Sequence, residues 1–456
     1  MKVDLKKWFR INIDSPFKIN KTFLLSSREI SLLLILSTLV GGLAGSIGTV
    51  FHICVDTVIH WRTALIDSAS VFDLPGWLIP VVSSAIMLQL TLMLVRRFAP
   101  EAGGSGVQEI EGALEGVRPL RWRRLLPVKF TAGLLTLGSG MVMGREGPTI
   151  QMGGNIGRMI AEKFKADGNK ENTLVTAGAA AGLTTAFNAP LSGILFAIEE
   201  MRAGFKYGTY SVQAVATASF TAAVIVRLYM GQIPDIDMSH FKAPALASLP
   251  LFFLFGVVFG LFGVLFSRYL VKTLDFFSNL RGPAYTLTGL WAGGLIGYLG
   301  WRFPHITGGG DDLIVWAMHY GGAASFLMIL FISRIGTSLF SYGTGAPGGI
   351  FAPMLALGTL FGLWFGHYAH SWFPEIIQHP GVFTIAGMGA LFAATVRAPL
   401  TGIVLSIEMT NNYSLILPMI LTVASATVTA ELLGSKPVYT TLLQRTLRLA
   451  KEKPSG

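Results

Sequence analysis

Ser139-Gly140-Met141-Val142-Met143-Gly144-Arg145-Glu146-Gly147-Pro148-Thr149-Ile150 sets an arginine and a glutamate among glycines inside an otherwise apolar region. Ionisable side chains at membrane depth are costly to desolvate and mark functional places. Pro148 suits the first turn of a helix and the run to Gly157 can continue it, so Glu146 is expected just ahead of a helix start. A helix N-terminus presents N–H groups and the positive end of the macrodipole, and glycines allow close approach, which makes this an anion-binding place. Glu146 is itself an anion. Ionised, its carboxylate can fill the site; protonated, it is neutral and leaves the site to a dissolved anion, so one residue can couple proton movement to anion movement.

The surroundings place this stretch in a membrane. Of the 456 residues 52% are hydrophobic and 13% charged, with a mean hydropathy of +0.58, whereas soluble domains carry about 25% charged residues. Residues 29–53, 75–98, 212–230, 249–271, 284–301 and 414–434 are each long and apolar enough to cross, or nearly cross, a bilayer. Apolar stretches cut by glycine and proline lie between them, and 53 glycines suit close helix packing and broken helices better than a bundle of straight spans. The expected class is an all-α polytopic membrane protein.

The formal charge of +10 is concentrated at the ends and in a few loops, a distribution that argues against nucleic-acid binding. Lys2, Lys6, Lys7, Arg10, Lys18, Lys21 and Arg28 crowd one end; Lys436, Arg445, Arg448, Lys451 and Lys453 crowd the other. The positive-inside rule then puts both termini in the cytoplasm, with Arg118, Arg121, Arg123, Arg124 and Lys129 as a third internal cluster. The first 28 residues lead into a long apolar segment without a small-residue cleavage site, so a removable signal peptide is not expected. Cys54 is the single cysteine, which excludes an intramolecular disulfide; its expected role is a small buried side chain. No His or Cys spacing suits a metal and no nucleotide loop is visible, so neither metal nor cofactor is expected. Gly308-Gly309-Gly310-Asp311-Asp312 superficially suggests an intramembrane aspartyl protease, but that chemistry needs a second aspartate within another span, and the run reads as a loop. An enzyme is therefore not expected.

The chain repeats itself. Residues 177–199 align without gaps on 386–408, an offset of 209, with ten of 23 positions identical, including Ala189-Pro190-Leu191 on Ala398-Pro399-Leu400 and Glu199 on Glu408. Around the opening stretch the offset is 205: Gly144, Pro148, Gly153 and Gly157 fall on Gly349, Pro353, Gly358 and Gly362, while Glu146 falls on Phe351 and Arg145 on Ile350. The two halves are built alike and only the first carries the ionisable pair. Interfaces between repeats, made by interrupted helices, are where transporters bind anionic groups. The spans alone leave open whether the repeats are parallel or inverted. Glu101 to Ile110 reads as a glycine turn followed by a helix, with Ser105 offering a hydroxyl, and Lys436-Pro437-Val438-Tyr439 breaks the last apolar segment and positions a phenol.

Gly104-Ser105-Gly106-Val107, Gly144-Arg145-Glu146-Gly147-Pro148 and Gly348-Gly349-Ile350-Phe351-Ala352-Pro353, in this order and at these distances, resemble the three signature motifs of the CLC chloride channel and transporter family, and the surrounding sequence is similar to its bacterial proton/chloride exchangers. The resemblance covers nearly the whole chain. It implies a CLC fold of two inverted repeats with many tilted and broken helices, and a homodimer with one pathway per subunit. It implies a transport domain over residues 29–435, with repeats at about 29–230 and 249–435. A cytoplasmic segment, 1–28, precedes it and a final helix with a short tail, 436–456, follows, with no C-terminal regulatory domain and a bacterial inner membrane as the home.

By position, the resemblance makes Ser105 and Tyr439 hydroxyl donors to a central chloride completed by the N–H groups of Ile350 and Phe351. Glu146 becomes the external gating glutamate and Glu200 the internal proton acceptor found in exchangers. Arg145, Gly104, Gly106, Gly147, Gly349 and Glu111 become supporting residues. Taken alone, Ser105 also reads as a helix cap, Tyr439 as an interfacial aromatic, Arg145 as a brace of its loop, and Glu111 as a partner of the nearby basic loop. Glu199 and Glu200 point about 100° apart on a helix. Glu199 has a counterpart in Glu408 and suits a structural task, whereas Glu200 faces Met409 and is free to specialise, or else to pair with Arg202 at a solvated helix end. The first motif of the family ends in proline and here the position is Gln108, which restores a backbone donor and adds an amide. The function implied is exchange of chloride for protons. The alternatives are a passive chloride channel and an exchanger preferring nitrate or fluoride; Glu200 disfavours the first, and Ser105 with the intact Gly-Arg-Glu-Gly-Pro the second.

Overall fold

Glycine and proline cut the apolar sequence into segments of very unequal length, and the computed structural model shows what each becomes. It describes residues 27–67, 74–166, 168–202, 208–231, 236, 238 and 241–452. Lys2, Lys6, Lys7, Arg10, Lys18, Lys21 and Lys453 of the basic termini lie outside the described residues. Eight helices form the first half: α1 (Ser27–Asp67), α2 (Leu78–Phe98), α3 (Val107–Leu114), α4 (Trp122–Gly138), α5 (Glu146–Lys163), α6 (Gly168–Phe187), α7 (Pro190–Glu200) and α8 (Thr209–Met230). The second half contains α9 (Leu249–Ser278), α10 (Gly282–Thr286), α11 (Thr288–Arg302), α12 (Asp311–Tyr320), α13 (Ala324–Gly343), α14 (Phe351–Trp372), α15 (Val382–Val396), α16 (Pro399–Thr410) and α17 (Ile416–Leu432), before a last helix α18 (Val438–Glu452). Among the described residues there is no named strand.

Five of these helical segments are long and apolar enough to cross a membrane: Ser27–Ile66, Leu78–Phe98, Thr209–Met230, Leu246–Ser278 and Ala324–Gly343. Four match expected spans. The span expected at 284–301 is instead broken at Leu287 between α10 and α11, and that at 414–434 is the shorter α17. Ala324–Gly343 was not among the expected spans, because Arg334 interrupts its apolar run. The fold buries that guanidinium completely and offsets the cost through Nη1 and Nη2, which donate to the carbonyls of His305, Thr307 and Gly308 at 3.0, 2.9 and 2.8 Å. Asp311 and Asp312 also depart from expectation, opening α12 instead of lying in a loop.

Glycine sets how closely helices pack within each repeat. An added Cβ on Gly153 or Gly157 of α5 would come within 2.1 Å of the α6 carbonyls of Gly178 or Leu174, and one on Gly358 or Gly362 of α14 would meet Gly387 or Phe383 of α15 at 2.3 or 2.4 Å. Equivalent residues in the two halves thus do the same work, bringing backbones to near contact where lipid supplies no hydrophobic drive between helices.

The orientation of the repeats is visible in two sets of hydrogen bonds. Glu199 at the end of α7 accepts from Leu400 N–H, Thr401 N–H and the Thr401 hydroxyl at the start of α16, at 3.0, 2.7 and 2.7 Å. Its counterpart Glu408 accepts from Leu191 N–H, Ser192 N–H and the Ser192 hydroxyl at the start of α7, at 3.0, 2.8 and 2.5 Å. Each helix end caps the start of the other, so the equivalent helices run antiparallel. Gly144 likewise pairs with its own counterpart Gly349 in an antiparallel bridge, N–H to carbonyl at 3.0 and 2.8 Å. A residue that pairs with its own repeat lies on the pseudo-two-fold axis, and the repeats are inverted.

Candidate anion and proton site

The axis between Gly144 and Gly349 passes beside Glu146, which is the first residue of α5 and not, as expected, just ahead of it; the one-residue difference leaves the helix terminus in place. Glu146 is fully buried. Its Oε1 accepts a hydrogen bond from Phe351 N–H at 2.7 Å, the amide at the first position of α14 and the repeat counterpart of Glu146 itself. The carboxylate therefore occupies the N-terminal anion position of the helix from the opposite repeat. Glycines make the room: a Cβ on Gly144 would lie 1.9 Å from Oε2, one on Gly349 1.9 Å from Oε1, and one on Gly147 2.9 Å from backbone atoms of Gly349 and Ser105.

The first motif, Gly104 to Val107, joins through the backbone. Gly348 N–H donates to Gly104 carbonyl at 3.1 Å, and Gly104 N–H reaches the carbonyls of Gly345 and Ala346 at 3.3 and 3.2 Å. Gly106 turns the chain with φ +86° ahead of α3, and a Cβ there would collide with the Gln151 side chain at 2.2 Å. Ser105 N–H is already taken by the Tyr342 phenol oxygen at 3.3 Å, but its hydroxyl, 1% exposed as a residue, has no hydrogen bond of ordinary geometry among the described residues, and neither has the phenol of fully buried Tyr439; the two hydroxyls face each other. Orphaned buried hydroxyls cost about 1–3 kcal/mol each unless a ligand accepts from them. Two of them close together beside helix N-termini suit a dehydrated monovalent anion, held by dipoles and not by a full positive charge.

Phe351 contributes its ring as well as its amide. It packs against Phe392, Phe196 and Tyr439, with centroids 4.6, 5.7 and 5.9 Å away. Phe196 lies one turn before Glu200 on α7, so this aromatic cluster reaches from the residue that binds Glu146 to within one turn of Glu200. Glu200 is buried at the last position of α7, not solvated as in the alternative reading, and the charges acting on it include Glu111 and Arg202. Glu111 does not pair with the basic loop: its Oε1 accepts from the Thr440 hydroxyl at 3.0 Å, while Glu109 takes Arg118 at 2.8 Å.

Arg145 braces the Glu146 loop from another side. Its Nε donates to Ala186 carbonyl at 3.1 Å, its Nη1 contacts His52 Nε2, and its Nη2 lies 3.9 Å from Asp311. Cys54 is half-buried, more accessible than expected.

Three contributors escaped the sequence reading. Lys129 does not belong to the basic loop cluster: it is fully buried in α4, and its amine donates to the carbonyls of Ala102, Gly104 and Ser105 at 2.9, 2.8 and 3.2 Å, which fixes the Ser105 turn. Gln151 supports the same turn by donating to Glu101 carbonyl at 2.8 Å. Tyr342 orients Ser105. Gln108 leaves the start of α3 intact at Val107 and is itself buried.

Comparison with known proteins agrees with this geometry. Residues 87–431 match the family described as "Voltage gated chloride channel". The chain is 50% identical over 452 residues, 98% of its own length and 97% of the relative, to the "H(+)/Cl(-) exchange transporter ClcA" of Vibrio cholerae, and 47% identical over 419 residues, 91% and 89% of the two lengths, to the protein of that name from Citrobacter koseri. Among solved structures, a "slow cyanobacterial Cl-/H+ antiporter" superposes with a TM-score of 0.88 at 43% identity, covering 91% of this chain and 98% of that one. A "CLC-type fluoride/proton antiporter" superposes at 0.73 with 18% identity over 89% and 96%, a likeness of fold alone. With its three glycine-rich motifs meeting around Glu146, this chain belongs to the voltage-gated chloride channel (CLC) family.

Proposed function

We propose that this protein exchanges chloride for protons across a membrane, with Glu146 as the outer gate and Glu200 as the inner proton acceptor. The observation that carries the reading is the Glu146 carboxylate on Phe351 N–H, at an anion-binding helix end, beside the unpartnered hydroxyls of Ser105 and Tyr439. Chloride sheds its hydration shell and is held by those hydroxyls and by the Ile350 and Phe351 amides. When it leaves the outer position, the Glu146 carboxylate takes its place; when a proton neutralises Glu146, the hydrogen bond to Phe351 weakens and the position reopens. Glu200, buried and behind the Phe196 and Phe351 rings, exchanges protons with the opposite compartment by a route separate from the anion path, with Glu111 beside it. The exchanger names of the relatives support this reading over a passive channel.

The assembly we propose is a homodimer with one pathway per subunit in a bacterial inner membrane, both termini cytoplasmic. The segment 1–28 precedes a transport domain, 29–435, and residues 436–456 bring Tyr439 to the site. The test uses purified protein in liposomes under an imposed chloride gradient, with a potassium ionophore as charge shunt and external pH recorded. Uphill proton movement that disappears in Glu146→Gln, leaving chloride flux that ignores pH, is expected. Chloride flux without proton movement in the wild type would make the protein a channel, and proton coupling retained in Glu146→Gln would remove that residue from the mechanism.

A further inference from the structure

Between α1, α4 and α5 the membrane-spanning surface opens into a groove of about 330 Å³, lined by Ser46, Ile47 and Val50 of α1, Leu126 and Phe130 of α4, and Met152 of α5. The one hydroxyl in it is already used, since Ser46 donates to Gly42 carbonyl at 2.9 Å. The lining therefore suits a hydrocarbon chain and rejects a polar ligand.

The same helix faces carry cations at one end. On α4, Trp122, Leu126 and Phe130 recur every four residues on one face, and Arg123 stands one turn before Pro127, which also borders the groove. On α5, Met152 and Lys163 are eleven residues apart, three turns along one face and about 16 Å in rise. The two ends are tied together at Glu162, which accepts from Trp122 Nε1 at 2.8 Å and from Arg123 at 2.9 Å. Within three residues of Trp122 or Glu162 in sequence stand four exposed cations, Arg121, Arg123, Lys163 and Lys165; among the described residues only Arg123 of these has an acidic partner, while Arg158, which also acts on Glu162, is paired with Glu171. An indole and an exposed Phe164 at the same level mark the membrane interface.

We propose that this groove and patch form a binding site for one anionic phospholipid, its acyl chain lying along α1, α4 and α5 and its phosphate resting on the unpaired cations of the patch. The charge surplus selects an anionic headgroup over a zwitterionic one. The position of the groove, beginning one turn beyond Trp122, fits a chain from the leaflet in which α4 begins. The bound lipid would fasten α1 to the two helices that flank the Glu146 loop.

Delipidated full-length protein is incubated with an equimolar mixture of phosphatidylglycerol and phosphatidylcholine, and retained lipid is read by native mass spectrometry alongside thermal melting. The wild type is expected to retain phosphatidylglycerol in preference and to melt higher with it. Arg121→Gln with Lys165→Gln should lower phosphatidylglycerol retention by about fivefold per charge removed. Val50→Trp fills the groove from a position already 51% exposed, so the core is untouched, and should abolish retention of either lipid. Equal retention of both lipids by the wild type, or undiminished phosphatidylglycerol on Val50→Trp, overturns the site. Both readouts are independent of ion flux, so they fail or succeed separately from the exchange reading.

Discussion

Gly144→Ala isolates the gate with the least disturbance. The three heavy atoms nearest to a Cβ at this position all belong to the Glu146 carboxyl group, Oε2 at 1.9 Å, Cδ at 2.6 Å and Oε1 at 2.7 Å, and its backbone is outside the left-handed region. The methyl group is accommodated by moving one flexible side chain. The carboxylate must then leave Phe351 N–H, giving up a 2.7 Å hydrogen bond to a charged acceptor. Such a bond is worth about 1.5–3 kcal/mol, so the seated and displaced populations of the gate shift by a factor of about 10–150 toward displacement. Chloride flux in liposomes should rise at neutral pH, its pH dependence should flatten, and the protons moved per chloride should fall. Size-exclusion behaviour and a melt close to wild type establish that the protein is folded. A folded Gly144→Ala protein with wild-type pH dependence and wild-type coupling would refute the claim that the seated carboxylate is the closed gate.

Further variants separate the remaining roles. Glu200→Gln should keep chloride moving while proton transport stops, read as loss of uphill pH change under a chloride gradient; intact proton transport would return Glu200 to a structural role. Ser105→Ala and Tyr439→Phe each remove one hydroxyl donor to an anion, and each should weaken chloride binding measured calorimetrically by about 10–150-fold, the equivalent of about 1.5–3 kcal/mol. Glu199→Ala and Glu408→Ala each strip three hydrogen bonds from a helix start. Each should lower stability by about 2–4 kcal/mol in a detergent melt, with the coupling ratio of the surviving protein unchanged. A changed ratio would mean that Glu199 does more than cap α16.

What could be read before folding was whatever local chemistry announces. An acid and an arginine among glycines in an apolar region are conspicuous, and Glu199 could be separated from Glu200 because only the former recurs in the second half. What could not be read was the placement of charges that tertiary structure neutralises. Lys129 sits five residues beyond Arg124 and looked like one more loop cation, yet the turn of α4 carries its amine to three carbonyls more than twenty residues upstream. Arg334 hid a membrane-length helix for the same reason, its partners lying on a chain segment that sequence spacing does not connect to it. Asp311 looked like part of a glycine loop, but Gly310 ends that loop and the aspartate opens a helix beside Arg145.

The repeat also explains why one acid suffices. Inversion places two equivalent helix starts, α5 and α14, on either side of the axis at Gly144 and Gly349, and both offer backbone donors whatever side chains they carry. A carboxylate at both starts would set two anions against each other across a few ångströms of buried protein, where mutual repulsion is strong. Replacing one of them by Phe351 removes that conflict, keeps the amide that receives the other, and adds a ring that walls the path toward Glu200. The symmetric scaffold therefore supplies the anion-binding helix ends, and the departure from symmetry at Glu146 and Phe351 supplies the titratable group. In the exchange mechanism proposed above, proton coupling follows from that departure, since only one of the two equivalent positions carries a carboxylate to exchange for chloride.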